Sequence, residues 1–306
     1  MKILVTGKDG QLGKAFQTEL GKFPQAEIRY LGRHDCDLAD LDTLESILEV
    51  FAPRIILNAA AYTAVDRAEQ EEELAFAINA DAPALMARYC ANHGASFLHY
   101  STDYVFDGSG SDFYLEDHPV NPLGIYGKSK AAGESGVTEA FLGVTNPHAR
   151  YAIFRTSWVY GEGANFIRTI LRLAKDRNEL KVIVDQFGVP TSAQWLAALS
   201  IQFALQDFPS GIYHAVPQGE TTWYGLACAV VQQAQLSGVN LLLERDHIRA
   251  IPATEYPLPA PRPMNSRMST QKLQKALDNL GLVSKFPQWD ELVRAYVSEL
   301  AKNQLI

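Results

Sequence analysis

The chain has 306 residues, with 27 Lys and Arg against 35 Asp and Glu, for a formal net charge of −8. At 47% hydrophobic and 20% charged residues it can bury a large core unaided, which excludes disorder, collagen and coiled coil. An acidic chain repels a polyphosphate, so nucleic acid is not an expected partner, whereas a small anion held by a local Arg and a helix N-terminus is compatible.

Short apolar strands alternate with amphipathic helices through the first half. Strands are predicted at Lys2–Thr6, Glu27–Leu31, Ile55–Ala59, Ser96–Ser101 and Ala152–Thr156. Helices are predicted at Gln11–Gly21, Leu41–Phe51, Glu71–His93 and Leu123–Phe141, with Asp40 capping the second. This alternation predicts an α/β fold, a Rossmann-like doubly wound parallel sheet. After Thr156 the rhythm loosens. A helix at Asn165–Arg177, a strand at Lys181–Val184, a helix at Trp195–Gln206 and a strand at Gly211–His214 are expected. The uncharged stretch 221–243 reads as a helix, a turn and a strand. Five prolines between Ile251 and Pro263 demand an extended loop. Residues 1–156 are read as a dinucleotide-binding domain to which a later segment, about 181–216, returns. Residues 157–306 are read mainly as a smaller C-terminal substrate-binding lobe.

The three cysteines, Cys36, Cys90 and Cys228, form no CxxC and read as buried small hydrophobes. The N-terminus runs straight into a strand without a signal-peptide core. The 221–243 stretch carries Gln232, Gln233, Gln235 and Asn240, too polar for a membrane span. A cytoplasmic protein that avoids membranes is expected.

Gly7, Gly10 and Gly13 follow the first strand and open the first helix. Glycines there permit a tight turn and bring a pyrophosphate against the backbone and the helix N-terminus. About 20 residues after Gly13 comes Arg33, where an acid would grip a ribose 2′-hydroxyl. An Arg suits a 2′-phosphate instead, which points to NADPH, with NADH as the other candidate. As a plain surface residue Arg33 would do neither. Asp37, followed by Leu38, can accept from an adenine amino group or simply hold a turn. Ala59 and Ala61, beside Tyr62 at the end of the third strand, are small enough to admit a cofactor.

Tyr126 and Lys130 lie four residues apart and share one helix face. A phenol there can donate a proton to an alkoxide, and a nearby ammonium should favour its phenolate. Thr102 ends the fourth strand, where ligands of such sheets bind, and can hydrogen-bond a reacting carbonyl. Thr102, Tyr126 and Lys130 on a dinucleotide fold indicate a short-chain dehydrogenase/reductase. His99 alternates with the strand pattern and reads as packed. The acid run 69–73 reads as a solvated helix start, not a metal cluster.

The segments GKDGQLG, NAAAYTAVDRAE, STDYVFDG, YGKSKAAGE, RTSWVYG and DQFGVPT are similar to those of the dTDP-4-dehydrorhamnose reductase family. It is a branch of the extended short-chain dehydrogenases/reductases, and the likeness spans nearly the whole chain. The resemblance implies reduction of a 4-keto dTDP-sugar, dTDP-4-dehydro-β-L-rhamnose, to dTDP-L-rhamnose for surface polysaccharide, with NADPH or NADH supplying the hydride. It implies Tyr126 as proton donor, Lys130 as supporting cation, and Thr102, Asp103 and Trp158 as sugar contacts. Gly10, Gln11, Leu12, Gly13, Asp37, Leu38, Ala61, Tyr62 and Thr63 fall on cofactor positions. Arg262 and Arg267, which flank Pro263-Met264-Asn265-Ser266, are with Asn165 the candidates to hold the substrate diphosphate, or else Arg262 braces its loop against an acid. Some family members are homodimers with interfacial Mg²⁺. A homodimer and Mg²⁺ are therefore compatible with the resemblance, but no acidic ligands match here and no metal residues are assigned. Two other readings are a reductase or epimerase for another nucleotide sugar, and a non-catalytic regulatory relative.

Overall fold

Strands buried on both faces read as continuous apolar runs, and here they make a parallel sheet. The computed structural model describes residues 1–282 and 286–306. Strands β1 (Lys2–Thr6), β2 (Glu27–Leu31), β3 (Ile55–Asn58), β4 (Ser96–Thr102) and β5 (Arg150–Thr156) join the strand Gly211–His214. Their order is β2-β1-β3-β4-β5 and then Gly211–His214, every neighbour parallel. The chain reverses its winding between β1 and β3, so a crevice opens at their carboxyl ends.

The period-2 alternation divides each strand between two cores. Ile3, Val5, Leu57, Leu98 and Phe154 face α1 (Gln11–Leu20), with Phe16 and Leu20 packed on them. Leu4, Ile56, Phe97 and Ile153 face the opposite layer. There α2 (Leu41–Phe51) contributes Leu44 and Leu48. Asp40 caps that helix as expected, accepting from the Thr43 N–H at 3.1 Å.

The helix predicted over Glu71–His93 is interrupted. After the short α3 (Val65–Ala68) come α4 (Glu72–Phe76), a π-helical turn Ala77–Asp81 and α5 (Ala82–His93). Pro83 sits in the first turn of α5, where its missing N–H costs no bond. The wide turn brings Asn79 inward, fully buried, to donate to Ser129 Oγ at 3.0 Å. Ser129 belongs to α6 (Ile125–Ala140), whose start is Gly124.

A second core forms around α7 (Phe166–Asp176), a two-stranded parallel sheet and later helices. The strand Leu180–Ile183 pairs with Ile248–Ile251, apart from the main sheet. Between them, α8 (Ala193–Ala204) lies on α1 and buries Leu196 and Phe203 in the first core. Helix α9 (Trp223–Leu236) packs on α7, but no strand forms in the 237–243 stretch where one was expected. Instead the Leu242 and Leu243 N–H groups both bond the Ala174 carbonyl, satisfying the end of α7. Helices α10 (Gln271–Asn279) and α11 (Trp289–Lys302) complete the chain, α10 against the first core and α11 against the second. Among the described residues no helix is long and apolar enough to cross a membrane. All three cysteines are buried and free.

One buried ion pair ties α6 to the sheet. Arg155 of β5 donates from Nε and Nη2 to Glu134 at 2.9 and 2.6 Å. Its guanidinium also reaches the Glu116 carbonyl at 3.2 Å and lies over Phe106. The two side chains are 3% and 5% exposed. Removing one member strands a charge in low dielectric, which costs ~3–5 kcal/mol. Glu134→Ala should lose about that much in urea unfolding, and adding Arg155→Met should recover most of it. A loss below ~1 kcal/mol for the single variant would contradict this assignment.

Candidate active site

The crevice at β1 and β3 is built from glycine and small residues. Gly7 has φ +71°, and a Cβ there would lie 2.6 Å from the Ala60 nitrogen. A Cβ on Gly13 would collide with the Gly7 carbonyl, so α1 can approach the loop only without one. Gly10 caps α1 with no side-chain partner, and no acid sits in the first turn. The first N–H groups of α1 are therefore left for an anion. A Cβ on Gly10 would meet only the Gly7 carbonyl oxygen, at 3.4 Å, so its other side is open to a ligand. This arrangement fits the pyrophosphate of a dinucleotide.

Other predicted cofactor residues divide. Arg33 is exposed just past β2. Asp37 is also exposed, and accepts from the Ala39 N–H at 3.1 Å, holding a turn. Leu38 and Leu12 are buried in the two cores. Ala59 and Ala61 follow β3, and Thr63 is exposed. Tyr62 is pinned by Asn79, which accepts from its N–H at 2.9 Å and donates to its carbonyl at 3.1 Å. The Gln11 side chain turns toward the second core. It donates to the Val159 carbonyl at 3.2 Å and accepts from the Gly161 N–H at 2.8 Å and Asn165 Nδ2 at 3.1 Å. This clamp leaves only its backbone N–H, in the first turn of α1, for a ligand. Asn165 is likewise committed, its Oδ1 capping α7 on the Arg168 N–H at 3.0 Å.

Thr102, Asp103, Tyr126 and Lys130 converge at the carboxyl end of β4. Thr102 Oγ1 donates to Asp103 Oδ1 at 2.9 Å and accepts from the Tyr104 N–H at 3.2 Å. Ser266 Oγ donates to the other Asp103 oxygen. Burial raises the Asp103 carboxyl to about 6, against the lowering effect of the Ser266 and Thr102 hydroxyls. The Tyr126 ring meets Tyr104 edge-on at 5.3 Å. Burial pushes the Tyr126 phenol up to about 12, while the Thr102 hydroxyl pulls it down. Burial lowers Lys130 to about 8, with Glu134 opposing. The sequence expectation that the ammonium depresses the phenol is thus not met in the free protein. Desolvation is the largest influence on the phenol, and Lys130 Nζ points to the Tyr100 carbonyl and His99.

A cavity of ≈ 340 Å³ adjoins this cluster, with Tyr104 and Ser266 in its wall alongside Trp158, Phe166, Trp223 and Arg262. Trp158 has φ +47°, a left-handed backbone that costs a bulky residue ~1–3 kcal/mol. Its indole stacks on Trp223 at 3.7 Å, and a Cβ on Gly188 would run into it. Arg262 lines the cavity but donates to Asp66 at 2.9 Å and to the Ala260 carbonyl at 3.1 Å, bracing the proline-rich segment. Tyr104, Ser266, Trp223, Asn79 and Asn58 were missed by the sequence reading. Tyr104, Asn58 and Ser266 carried a signal, lying inside segments already singled out. No group of three His, Cys, Asp or Glu that could hold a metal occurs among the described residues.

Known proteins place these observations. The RmlD substrate binding domain family matches residues 1–302. A dTDP-4-dehydrorhamnose reductase of Escherichia coli K12 is 43% identical, with 98% of each chain covered. One from Burkholderia thailandensis is 39% identical over 98% of this chain and 99% of that one. Among solved structures, dTDP-4-dehydrorhamnose reductase from Bacillus anthracis, in complex with NADP, superimposes with a TM-score of 0.86. It is 32% identical, with coverage of 97% of this chain and 99% of that one. A UDP-glucose 4-epimerase from Thermus thermophilus, at 18% identity and a TM-score of 0.76 over 97% and 99%, shares the fold. The glycine crevice, the Thr102–Tyr126–Lys130 cluster and this similarity along the whole chain agree: the protein belongs to the dTDP-4-dehydrorhamnose reductase family.

Proposed function

We propose that this protein reduces the 4-keto group of dTDP-4-dehydro-β-L-rhamnose to give dTDP-L-rhamnose, with NADPH as cofactor, in the cytoplasm. The observation that carries the reading is the meeting of Thr102, Tyr126 and Lys130 between the glycine crevice and the apolar cavity. Residues 1–156, with α8 and the strand Gly211–His214, would hold the cofactor, and most of the remainder the substrate. The Gly7–Gly13 loop and the open N-terminus of α1 would take the pyrophosphate, and Arg33 the 2′-phosphate. When bound, the cofactor supplies the hydride.

The chain's own residues then manage the proton. Tyr126, with its pKa raised in the free protein, keeps its hydrogen at neutral pH and can give it to the oxygen of the ketone as negative charge gathers there. Thr102 orients the same oxygen, and Asp103 fixes Thr102. Lys130 in its cationic form stabilises the phenolate that Tyr126 becomes. Trp158 presents an indole face to the sugar, and Trp223 holds that face still. Arg262, already paired to Asp66, sits where it can meet the diphosphate without reorganising.

The test is Tyr126→Phe. Turnover should fall by ~10²–10⁴-fold, the usual worth of general acid catalysis, while NADPH affinity is kept. A variant holding half the normal rate would overturn the reading. Arg33→Ala should weaken NADPH by ~10-fold or more and NADH hardly at all, because a charge-assisted bond is worth ~1.5–3 kcal/mol. Titration of each cofactor separately measures this, and equal losses for both would remove Arg33 from phosphate recognition.

A further inference from the structure

His99 is fully buried on β4, and none of the steps above uses it. It is one link in a chain of polar groups that crosses three adjacent strands. Thr6, Asn58 and His99 are register partners across β1, β3 and β4. Thr6 Oγ1 donates to Asn58 Oδ1 at 2.6 Å. Asn58 Nδ2 lies 2.9 Å from His99 Nδ1, and His99 Nε2 lies 3.3 Å from Lys130 Nζ. Thr6 and Asn58 are each 1% exposed, so water does not interrupt the chain.

The donors and acceptors fix the polarity. With the Asn58 oxygen taken by Thr6, its amide nitrogen faces the imidazole, and Nδ1 must accept. Burial, and then the Lys130 charge, hold His99 well below its ordinary range, so the ring is neutral. A neutral ring has one proton, and Nδ1 lacks it. It sits on Nε2, aimed at Lys130 Nζ. A third ammonium hydrogen would meet that N–H head-on, whereas the lone pair of an amine would accept it.

We propose that His99 is a positioning residue which, locked by Asn58 and Thr6 as the Nε2–H tautomer, holds Lys130 close to the point of losing its proton. This rests on the proposed role of Lys130 in the reductase site. The other ionisable groups around Lys130 are Tyr126 one turn earlier and Glu134 one turn later on α6, Glu134 being paired with Arg155 of β5. Asp103, at the end of β4, acts on Tyr126. Of these only Glu134 favours the ammonium, and its charge is shared with Arg155. A lysine so poised can pass its proton to the spent Tyr126 phenolate and take one back from water as the products leave, instead of holding a fixed charge.

Asn58→Asp tests the device with almost no change of shape. The new carboxylate takes the hydrogen on Nδ1, Nε2 becomes an acceptor, and the ammonium gains a partner. The alkaline limb of the kcat/KM profile should move up by about one pH unit. Adding His99→Leu should abolish that movement. A shift that persists in the double variant means the new carboxylate acts directly on Lys130 and overturns the relay, as does no shift in the single variant. Folding of the variants is not needed for the second measurement. In the unmodified protein, ¹⁵N shifts of His99 should identify the neutral Nε2–H tautomer at pH 7. An Nδ1–H tautomer, or a cationic ring, overturns the proposal. This readout is independent of turnover, so it separates failure of the relay from failure of the reductase reading, which Tyr126→Phe decides.

Discussion

The parallel register of β1, β3 and β4 is the constraint on which the site depends. It sets Thr6 against Asn58 and Asn58 against His99. Each of these residues is followed within a few positions by part of the site: Gly7 after Thr6, Ala59 after Asn58, Thr102 after His99. A one-residue slip of β4 would turn His99 to the α1 side and Thr102 away from its partners. The register is protected by burial on both faces, since the same slip would exchange Phe97 and Leu98 between cores already full. Specificity of pairing and placement of the chemistry therefore have one cause.

Around that frame the protein places polar groups in low dielectric and satisfies most of them. Arg155 with Glu134 anchors α6, and α6 in turn presents Tyr126 and Lys130 four residues apart on one face. Asp103 is held by Thr102 and Ser266, so the end of β4 is stitched to the segment that follows the proline-rich loop. Gln11 does the same for the glycine crevice and the 159–165 segment. These links hold the crevice and the cavity in fixed relation. Burial also sets the proton chemistry: it raises Tyr126 and lowers Lys130, and so makes the lysine the stronger acid of the two.

The main sheet was legible because its signals are local. Apolar runs of four to seven residues bounded by turns located every strand of the first half, and Asp40 marked its helix. The glycine spacing and the Tyr126–Lys130 interval located the crevice and cluster for the same reason. What escaped was non-local. The π turn at Ala77–Asp81 aims Asn79 at Tyr62 and Ser129, partners 17 and 50 residues away. The end of the 221–243 stretch looks like a strand by composition, but Leu241 and Leu243 are buried in the second core, and the Leu242 and Leu243 N–H groups end the hydrogen bonding of α7. Gln11 lies at a cofactor position of the family pattern and Asn165 is a candidate for the substrate, yet their side chains serve each other. His99 read as a packed residue from alternation alone, since its neighbours come from another strand and a helix.

One measurement bears most directly on what the protein does. Purified protein, mixed with enzymatically prepared dTDP-4-dehydro-L-rhamnose and NADPH, should oxidise one NADPH for each sugar reduced, with dTDP-L-rhamnose as product. Loss of the 4-keto sugar without net NADPH consumption, or no conversion at all, would contradict a reductase built on the Thr102–Tyr126–Lys130 cluster.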